Sequence, residues 1–290
     1  MEKNKNISHF SHLKQKWTAK HKEIEKKIVA KHGHLIASLI PKHQIISGLL
    51  LAAVPFMQMA PHTVQAQINN FSKQETPKLT PQDFVLKLSE LLPKDVRPLI
   101  PGEEKLISNY LSEVFKFKVY PEIDGMRLER SYGYIGQEQH LKRFPGDSMD
   151  QHFNSQEEAH LYSPEGMAPG LGAWGYFSRS KDTMTEIDIQ REKFYIAVPT
   201  FLAPGFNENI GKYGLFFKYR KMLVVNPENG KAVVADIGDA GPAEWTGKHL
   251  GGSPEVMEYL ERVDGAQKGP VLYFFVDDPN DTIPLGPINL

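Results

Sequence analysis

The chain has 290 residues, of which 40% are hydrophobic, and this proportion is enough to form a packed core. It contains no cysteine, which excludes disulfides, cysteine-ligated metals and thiol nucleophiles. Residues 1–66 hold ten lysines and three glutamates, a charge of +7, whereas the whole chain carries −1. The remainder is therefore acidic, which argues against nucleic-acid binding. The 23 glycines and 21 prolines favour turns and short strands over a helical bundle.

Residues 1–44 form a lysine-rich tail that precedes an uncharged apolar stretch at residues 45–60. This stretch is closer in length to the ~7–15 apolar residues of a signal peptide than to the ~20 of a spanning helix. Val64 and Ala66 supply small residues suited to cleavage after Ala66. Residues 45–66 are therefore predicted to be a signal peptide. A membrane anchor through residues 45–60 is the first alternative, and a buried core helix is the least favoured.

The basic tail is expected to stay on the cytoplasmic side, so the acidic body is predicted to be exported. Apolar residues recur among the lysines of residues 11–40 with partly helical spacing. This pattern fits a solvated basic tail, which we favour, or an amphipathic helix lying on a membrane surface.

Residues 67–80 are polar and are predicted to be a linker. A helical segment is expected over residues 81–120. Thr80 is suited to cap its first helix, with Pro81 at the first helical position and Asp83 in the first turn. A second helix is predicted over residues 102–117 from its apolar spacing.

Residues 121–170 show poor periodicity and are predicted to be loop-rich, which is long for a compact domain. They contain scattered potential metal ligands: His140, Asp147, Asp150, His152, Glu157, Glu158 and His160. Imidazole and carboxylate groups bind Zn²⁺ or Ca²⁺, but this spacing matches no compact motif, so no metal site is predicted. Ordinary polar loop residues are the favoured interpretation, and a binding groove lined by His140 and its neighbours is the alternative.

The C-terminal part is predicted to be rich in strands, which makes the fold α+β. Strands are expected at residues 194–198, 221–226, 231–237 and 271–276 from their β-branched and aromatic residues. A turn at residues 227–230 joins two of them into a hairpin, and residues 238–242 are expected to end its second strand. Ser253 is predicted to cap a short helix that reaches residue 260.

This order of elements carries a family resemblance. Residues 224–231 read VVNPENGK, residues 233–242 read VVADIGDAGP, and Gly247-Lys248 and the Ser253-capped helix follow. The combination resembles the double-psi β-barrel of the rare lipoprotein A family, whose relatives include expansins and some lytic transglycosylases. Residues 172–177, GAWGYF, are similar to the opening strand of that family. The resemblance implies a six-stranded double-psi barrel over residues 171–290, with cell-wall glycan as its partner.

The family motif Asp-Arg-Gly-Pro aligns its acid with Asp239, so the resemblance implies that Asp239 is the general acid of glycan cleavage. The residue type and its turn position favour the alternative, a turn aspartate bonded to its own backbone. In this chain Ala240 replaces the arginine, and Gly251-Gly252-Ser253 replaces Asp-Leu-Ser before the helix. No histidine stands at residues 197–200, where the family's helper histidine is expected. His249 is the nearest candidate to replace it. These departures favour binding over cleavage and leave the enzymatic role open.

Trp245 follows Glu244 and is predicted to be a sugar-stacking platform, with a loop anchor in the core as the alternative. The other predicted substrate-binding residues are Glu244, Trp174, Tyr176 and His140. No cofactor is predicted, since the chain lacks a nucleophile elbow, a phosphate-binding glycine loop and a dinucleotide fingerprint. The predicted function is binding or remodelling of peptidoglycan in the cell envelope. A lytic-transglycosylase-like enzyme and a protein-interaction module using residues 121–177 are the alternatives.

Overall fold

The computed structural model describes residues 79–262 and 268–290. The basic tail, the apolar segment at residues 45–66 and nearly all of the linker at residues 67–80 lie outside these ranges. None of the helices in the described part of the chain has the length and apolar character needed to cross a bilayer.

The described residues begin with two helices, α1 (Pro81–Leu91) and α2 (Pro101–Phe115). The hydroxyl of Thr80 accepts a hydrogen bond from the amide of Asp83 at 3.2 Å, and Pro81 occupies the first turn, which confirms the predicted cap. Phe84 and Leu88 are the buried side chains of α1. Both predicted helices are therefore present, with α2 ending slightly earlier than expected.

Ten strands and four further helices follow. The strands are β1 (Val119–Tyr120), β2 (Glu122–Ile123), β3 (Met126–Arg127), β4 (Tyr132–Gln137), β5 (Tyr195–Val198), β6 (Lys221–Val225), β7 (Ala232–Ala240), β8 (Leu250–Gly252), β9 (Lys268–Val276) and β10 (Gly286–Ile288). The helices are α3 (Gln156–Tyr162), α4 (Glu186–Lys193), α5 (Ile210–Phe217) and α6 (Pro254–Tyr259).

Six of the strands close into a barrel in the order β9–β4–β8–β5–β7–β6, with β6 returning to β9. The pairs β4–β8 and β5–β7 are parallel, whereas the other four pairs are antiparallel. Strands β1 and β10 extend the sheet from β9 and β7. The fold is thus α+β with a closed six-stranded barrel, as predicted, and closure leaves the six barrel strands paired on both sides.

Strand β6 shows how the barrel is packed. Its alternate residues Met222 and Val224 belong to one buried apolar cluster, and Leu223 and Val225 belong to a second. The second cluster lies between the barrel and helices α1 and α2, because it also contains Phe84. Both faces of β6 are therefore buried, which explains its continuous apolar sequence.

The first barrel strand is β4, which lies inside the region predicted to be loop-rich. The predicted opening strand at residues 172–177 is wrong, since this segment forms a turn. Gly133 and Gly136 weaken the strand pattern of β4, and the side chains of His249 and Lys248 pack closely against them. A Cβ at Gly133 would lie 2.8 Å from the Cβ of His249, and one at Gly136 would lie 2.2 Å from the Cδ of Lys248. The barrel therefore begins near residue 132 and not at residue 171.

Strand β7 also differs from the prediction, which ended it before Gly238. The strand continues to Ala240, and its register with β5 shifts so that Ile196 pairs with Ile237 and Ala197 pairs with Asp239. Gly238 is the extra residue of this bulge. A Cβ on Gly238 would lie 2.6 Å from the Cβ of Tyr195. This glycine therefore permits close packing within the barrel and does not break the strand.

Candidate functional site

Asp239 lies near the C-terminal end of β7 and is partly buried. Its Oδ1 accepts hydrogen bonds from the backbone amides of Ala173 at 2.6 Å and Ala240 at 2.7 Å. No side chain in the described ranges donates a hydrogen bond to this carboxylate. The turn at residues 172–177 therefore crosses the end of β7 and fixes one oxygen of Asp239.

A second carboxylate, that of Glu138, lies near Asp239. Burial raises the pKa of Asp239, against the lowering effect of its two amide donors. Burial also raises the pKa of Glu138; the bonded Lys248 opposes this rise, while the charge of Asp239 adds to it. Lys248 Nζ donates to Glu138 Oε1 at 2.5 Å and to the carbonyl of Gln137 at 2.8 Å. This end of the barrel thus holds two carboxyl groups with raised pKa values and one ammonium group.

Small residues occupy the strand positions between Asp239 and Glu138. Gly251 of β8 pairs with Ala197 of β5, which in turn pairs with Asp239 of β7. A Cβ at Gly251 would lie 2.4 Å from the Cγ of Glu138, so the Glu138 side chain covers this glycine. Two strand spacings of ~4.8 Å therefore separate Gly251 from Asp239.

His249 does not reach Asp239. Its Nδ1 accepts a hydrogen bond from the backbone amide of Tyr134 at 3.0 Å, which leaves the proton of the neutral ring on Nε2. The imidazole stacks on the ring of Tyr134, with 5.9 Å between the ring centroids. Burial, together with the charge of Arg130, lowers the pKa of His249. His249 is therefore bound to β4 and is not paired with the predicted acid.

His249 and Glu244 line the same cavity, which has a volume of about 190 Å³. Arg130, Lys248 and Pro242 also line it, so its walls mix charged and apolar groups. Sites for drug-sized ligands measure roughly 300–1,000 Å³. This cavity is large enough for one small group of a larger ligand.

The predicted aromatic residues occupy different environments. Trp245 lies in the 3₁₀ turn Glu244–Thr246, and its side chain is 89% exposed, which excludes the core-anchor alternative. Trp174 is partly buried against the core and donates from Nε1 to the carbonyl of Ile237 at 2.9 Å. It therefore anchors the turn that holds Asp239. Tyr176, in the same turn, is 37% exposed.

His140 lies elsewhere, in a buried polar cluster with Asp147, His152 and Glu192. The ligand atoms of His140, His152 and Glu192 all lie within 4.8 Å of one another, which is close enough to hold a metal ion. His140 is fully buried, so it does not line a groove as predicted. Of the other scattered residues, Asp150, Glu157 and His160 are exposed, and Glu158 pairs with Lys193.

The predicted site residues thus fall into three places: Asp239 with Trp174 and Tyr176, the cavity with Glu244, Trp245 and His249, and the buried cluster with His140. Sequence reasoning missed Lys248 and Glu192. Lys248 was visible only as part of a family motif. Glu192 carried no signal, because six of the eight residues of α4, EIDIQREK, are polar.

Comparison with protein-family models returned no match, and comparison with curated proteins also returned none.

Proposed function

We propose that this protein is exported to the cell envelope and binds cell-wall glycan through its barrel without cleaving it. The observation that carries the proposal is the exposure of Trp245, whose side chain is 89% exposed beside the cavity that Glu244 and His249 line. An aromatic ring displayed to solvent next to polar side chains suits stacking on the apolar face of a pyranose. The polar groups of the cavity would bind a substituent of the same sugar.

The strand order supports the finer assignment of the barrel to the double-psi type. Two parallel pairs, β4–β8 and β5–β7, are embedded in a closed barrel whose other pairs are antiparallel. The Asn-Gly hairpin, the Gly-Asp-Ala-Gly-Pro segment and the Ser253-capped helix occur in the order that the resemblance requires. The proposal of a cell-wall partner depends on this resemblance.

The absence of cleavage is supported by the surroundings of Asp239. Its described hydrogen bonds come from two backbone amides, and the nearest candidate helper, His249, accepts from Tyr134 instead. Glycan binding requires neither a general acid nor a helper side chain beside that acid.

The test is cosedimentation of the purified full chain with insoluble peptidoglycan. We expect the wild type to sediment with the glycan and Trp245→Ala to bind about tenfold more weakly, as for loss of a central aromatic contact. Leu86→Ala is the matched control, because Leu86 is 62% exposed on α1, away from the barrel strands. Equal binding by Trp245→Ala and the wild type would refute the sugar platform.

One observation favours a second function, lytic-transglycosylase-like cleavage with Asp239 as the acid. Burial raises the pKa of Asp239, which is the property that a general acid needs near neutral pH. Mass spectrometry of the soluble fraction separates the two functions. Release of muropeptides by the wild type but not by Asp239→Asn would establish cleavage, and sedimentation without soluble products would establish binding.

A further inference from the structure

The buried polar cluster around Glu192 is the strongest feature outside the glycan site. His140, His152 and Glu192 are 0%, 4% and 1% exposed, and they come from separate parts of the chain. We infer that this cluster is a structural binding site for a zinc-class divalent ion, with His140, His152 and Glu192 as ligands and Glu255 as a neighbouring carboxylate that balances its charge.

The two imidazoles turn one nitrogen each toward the same carboxylate. His140 Nδ1 lies 3.3 Å from Glu192 Oε1, and His152 Nε2 lies 2.9 Å from Glu192 Oε2. Ligand atoms about 2.1 Å from a tetrahedral zinc ion are roughly 3.4 Å apart. Both N···O separations are therefore within about 0.5 Å of this value, and the three ligand atoms lie within 4.8 Å of one another.

The outer nitrogens of both rings have the partners that metal-bound histidines have. His152 Nδ1 lies 3.2 Å from Asp147 Oδ2, and His140 Nε2 lies 3.3 Å from the carbonyl oxygen of Tyr162. A ligating histidine commonly donates its second N–H to a carboxylate or a backbone carbonyl, which fixes the ring and its tautomer. Asp147 is itself held by Arg143, through Nε at 3.0 Å and Nη2 at 3.2 Å.

Glu255 supplies an independent observation. It is 6% exposed, and neither of its carboxylate oxygens has a hydrogen-bond partner among the described residues. Its charge interacts with those of Glu192 and His140. A buried carboxylate without partners is costly, and a cation bound beside it would offset that cost.

The formal charges of the loaded site balance. Two neutral imidazoles and the carboxylates of Glu192 and Glu255 neutralise one divalent ion, and Arg143 balances Asp147. Two imidazoles and one carboxylate are a ligand set that zinc takes. All three ligands are buried, and this burial favours a structural ion.

The ion would crosslink separate elements around the barrel. His140 follows β4, His152 follows the 3₁₀ turn Met149–Gln151, Glu192 lies on α4 and Glu255 lies on α6. The long segment between β4 and α4 has little regular structure, so a metal crosslink would hold it against these two helices. This role is independent of glycan binding.

The test measures zinc on the purified full chain. We expect one zinc per chain by mass spectrometry of metals, and a melting temperature at least about 5 °C lower after chelation. Glu192→Gln and Glu255→Gln should weaken zinc binding by at least about tenfold in calorimetric titration. His160→Gln is the matched control, because His160 is exposed on α3, and it should bind zinc as the wild type does.

Cobalt binding can be measured on the wild type alone. It therefore tests the site even if Glu192→Gln fails to fold. Visible absorption from a four-coordinate cobalt site, removed by added zinc, supports the inference. A chain that binds no zinc and keeps its melting temperature in chelator overturns it, as does equal affinity in a folded Glu192→Gln. Equal affinity in Glu255→Gln overturns the role of Glu255 in balancing the charge of the ion.

Discussion

The amide of Ala173 donates to Oδ1 of Asp239 at 2.6 Å, across 66 residues of sequence. The bond fixes the carboxylate at the end of β7 to a turn that Trp174 anchors through the carbonyl of Ile237. A candidate catalytic acid therefore also holds the turn over the barrel end. Substitutions can separate these two roles.

Asp239→Ala should destabilise the protein by about 1–3 kcal/mol, because it removes the acceptor of two backbone amides. Asp239→Asn should cost less, since its carbonyl oxygen can accept both bonds. Urea unfolding measures both free energies of unfolding. Equal stability of Asp239→Ala and the wild type would show that the carboxylate does not hold the turn.

Trp174→Phe should lower the free energy of unfolding by about 1 kcal/mol or more, because the carbonyl of Ile237 loses its indole donor. Trp245→Phe is the matched control, and it should change stability by less than about 0.5 kcal/mol because its side chain is 89% exposed. Chemical denaturation of both variants gives the comparison. A similar loss in both would contradict the different placement of the two indoles.

Gly238→Ala should destabilise the barrel by about 1–3 kcal/mol, because the new Cβ would lie 2.6 Å from the Cβ of Tyr195. Gly214→Ala should instead stabilise by about 0.5–1 kcal/mol, since Gly214 lies within α5 and a Cβ there would have no neighbour within 4 Å. Thermal unfolding of the two variants should therefore shift in opposite directions. Tolerance of Gly238→Ala would argue against the bulge.

The stability of the protein should fall in acid partly through Asp278. Burial raises the pKa of this side chain, which is 5% exposed, but bonds from Lys221, Thr282 and Ile283 outweigh burial and lower the pKa to about 2. A lowered carboxyl pKa gives stability that is present above the unfolded value of about 4 and is lost as the pH falls through the folded value. Between pH 4 and pH 2, the free energy of unfolding of Asp278→Asn should therefore fall by on the order of 2 kcal/mol less than that of the wild type.

Asp277→Asn is the control for this acid dependence, because Asp277 is the exposed neighbour in sequence. Its unfolding free energy should follow that of the wild type at each pH. Identical pH profiles for Asp278→Asn and the wild type would contradict the assignment.

Export is a prediction of the sequence that fractionation can check. Deleting residues 45–60 should retain the chain in the cytosol, because the apolar segment is then missing. Intact mass measurement of the exported wild type distinguishes cleavage after Ala66 from a retained anchor. Export of the deletion variant would refute the leader.

Local chemistry made several elements of the fold predictable. Thr80 and Ser253 cap helices because their hydroxyls accept amide bonds within the first turn, and these interactions depend on neighbours in sequence. The β6–β7 hairpin was predictable because Gly230, with φ of 78°, takes a turn conformation that side chains disfavour. Strand β4 was missed because the reason for its glycines, close contact with His249 and Lys248, lies more than 100 residues away.

The sequence by itself therefore determined the α+β class, the hairpin, the helix caps and the acidic charge of the body, since these follow from residue type and short-range spacing. Only the tertiary structure decided which polar residues meet. It brought His152 and Glu192 together across 40 residues and left His249 apart from Asp239. Such pairings depend on strand order and on the path of the chain around a closed barrel, which no local pattern of residues specifies.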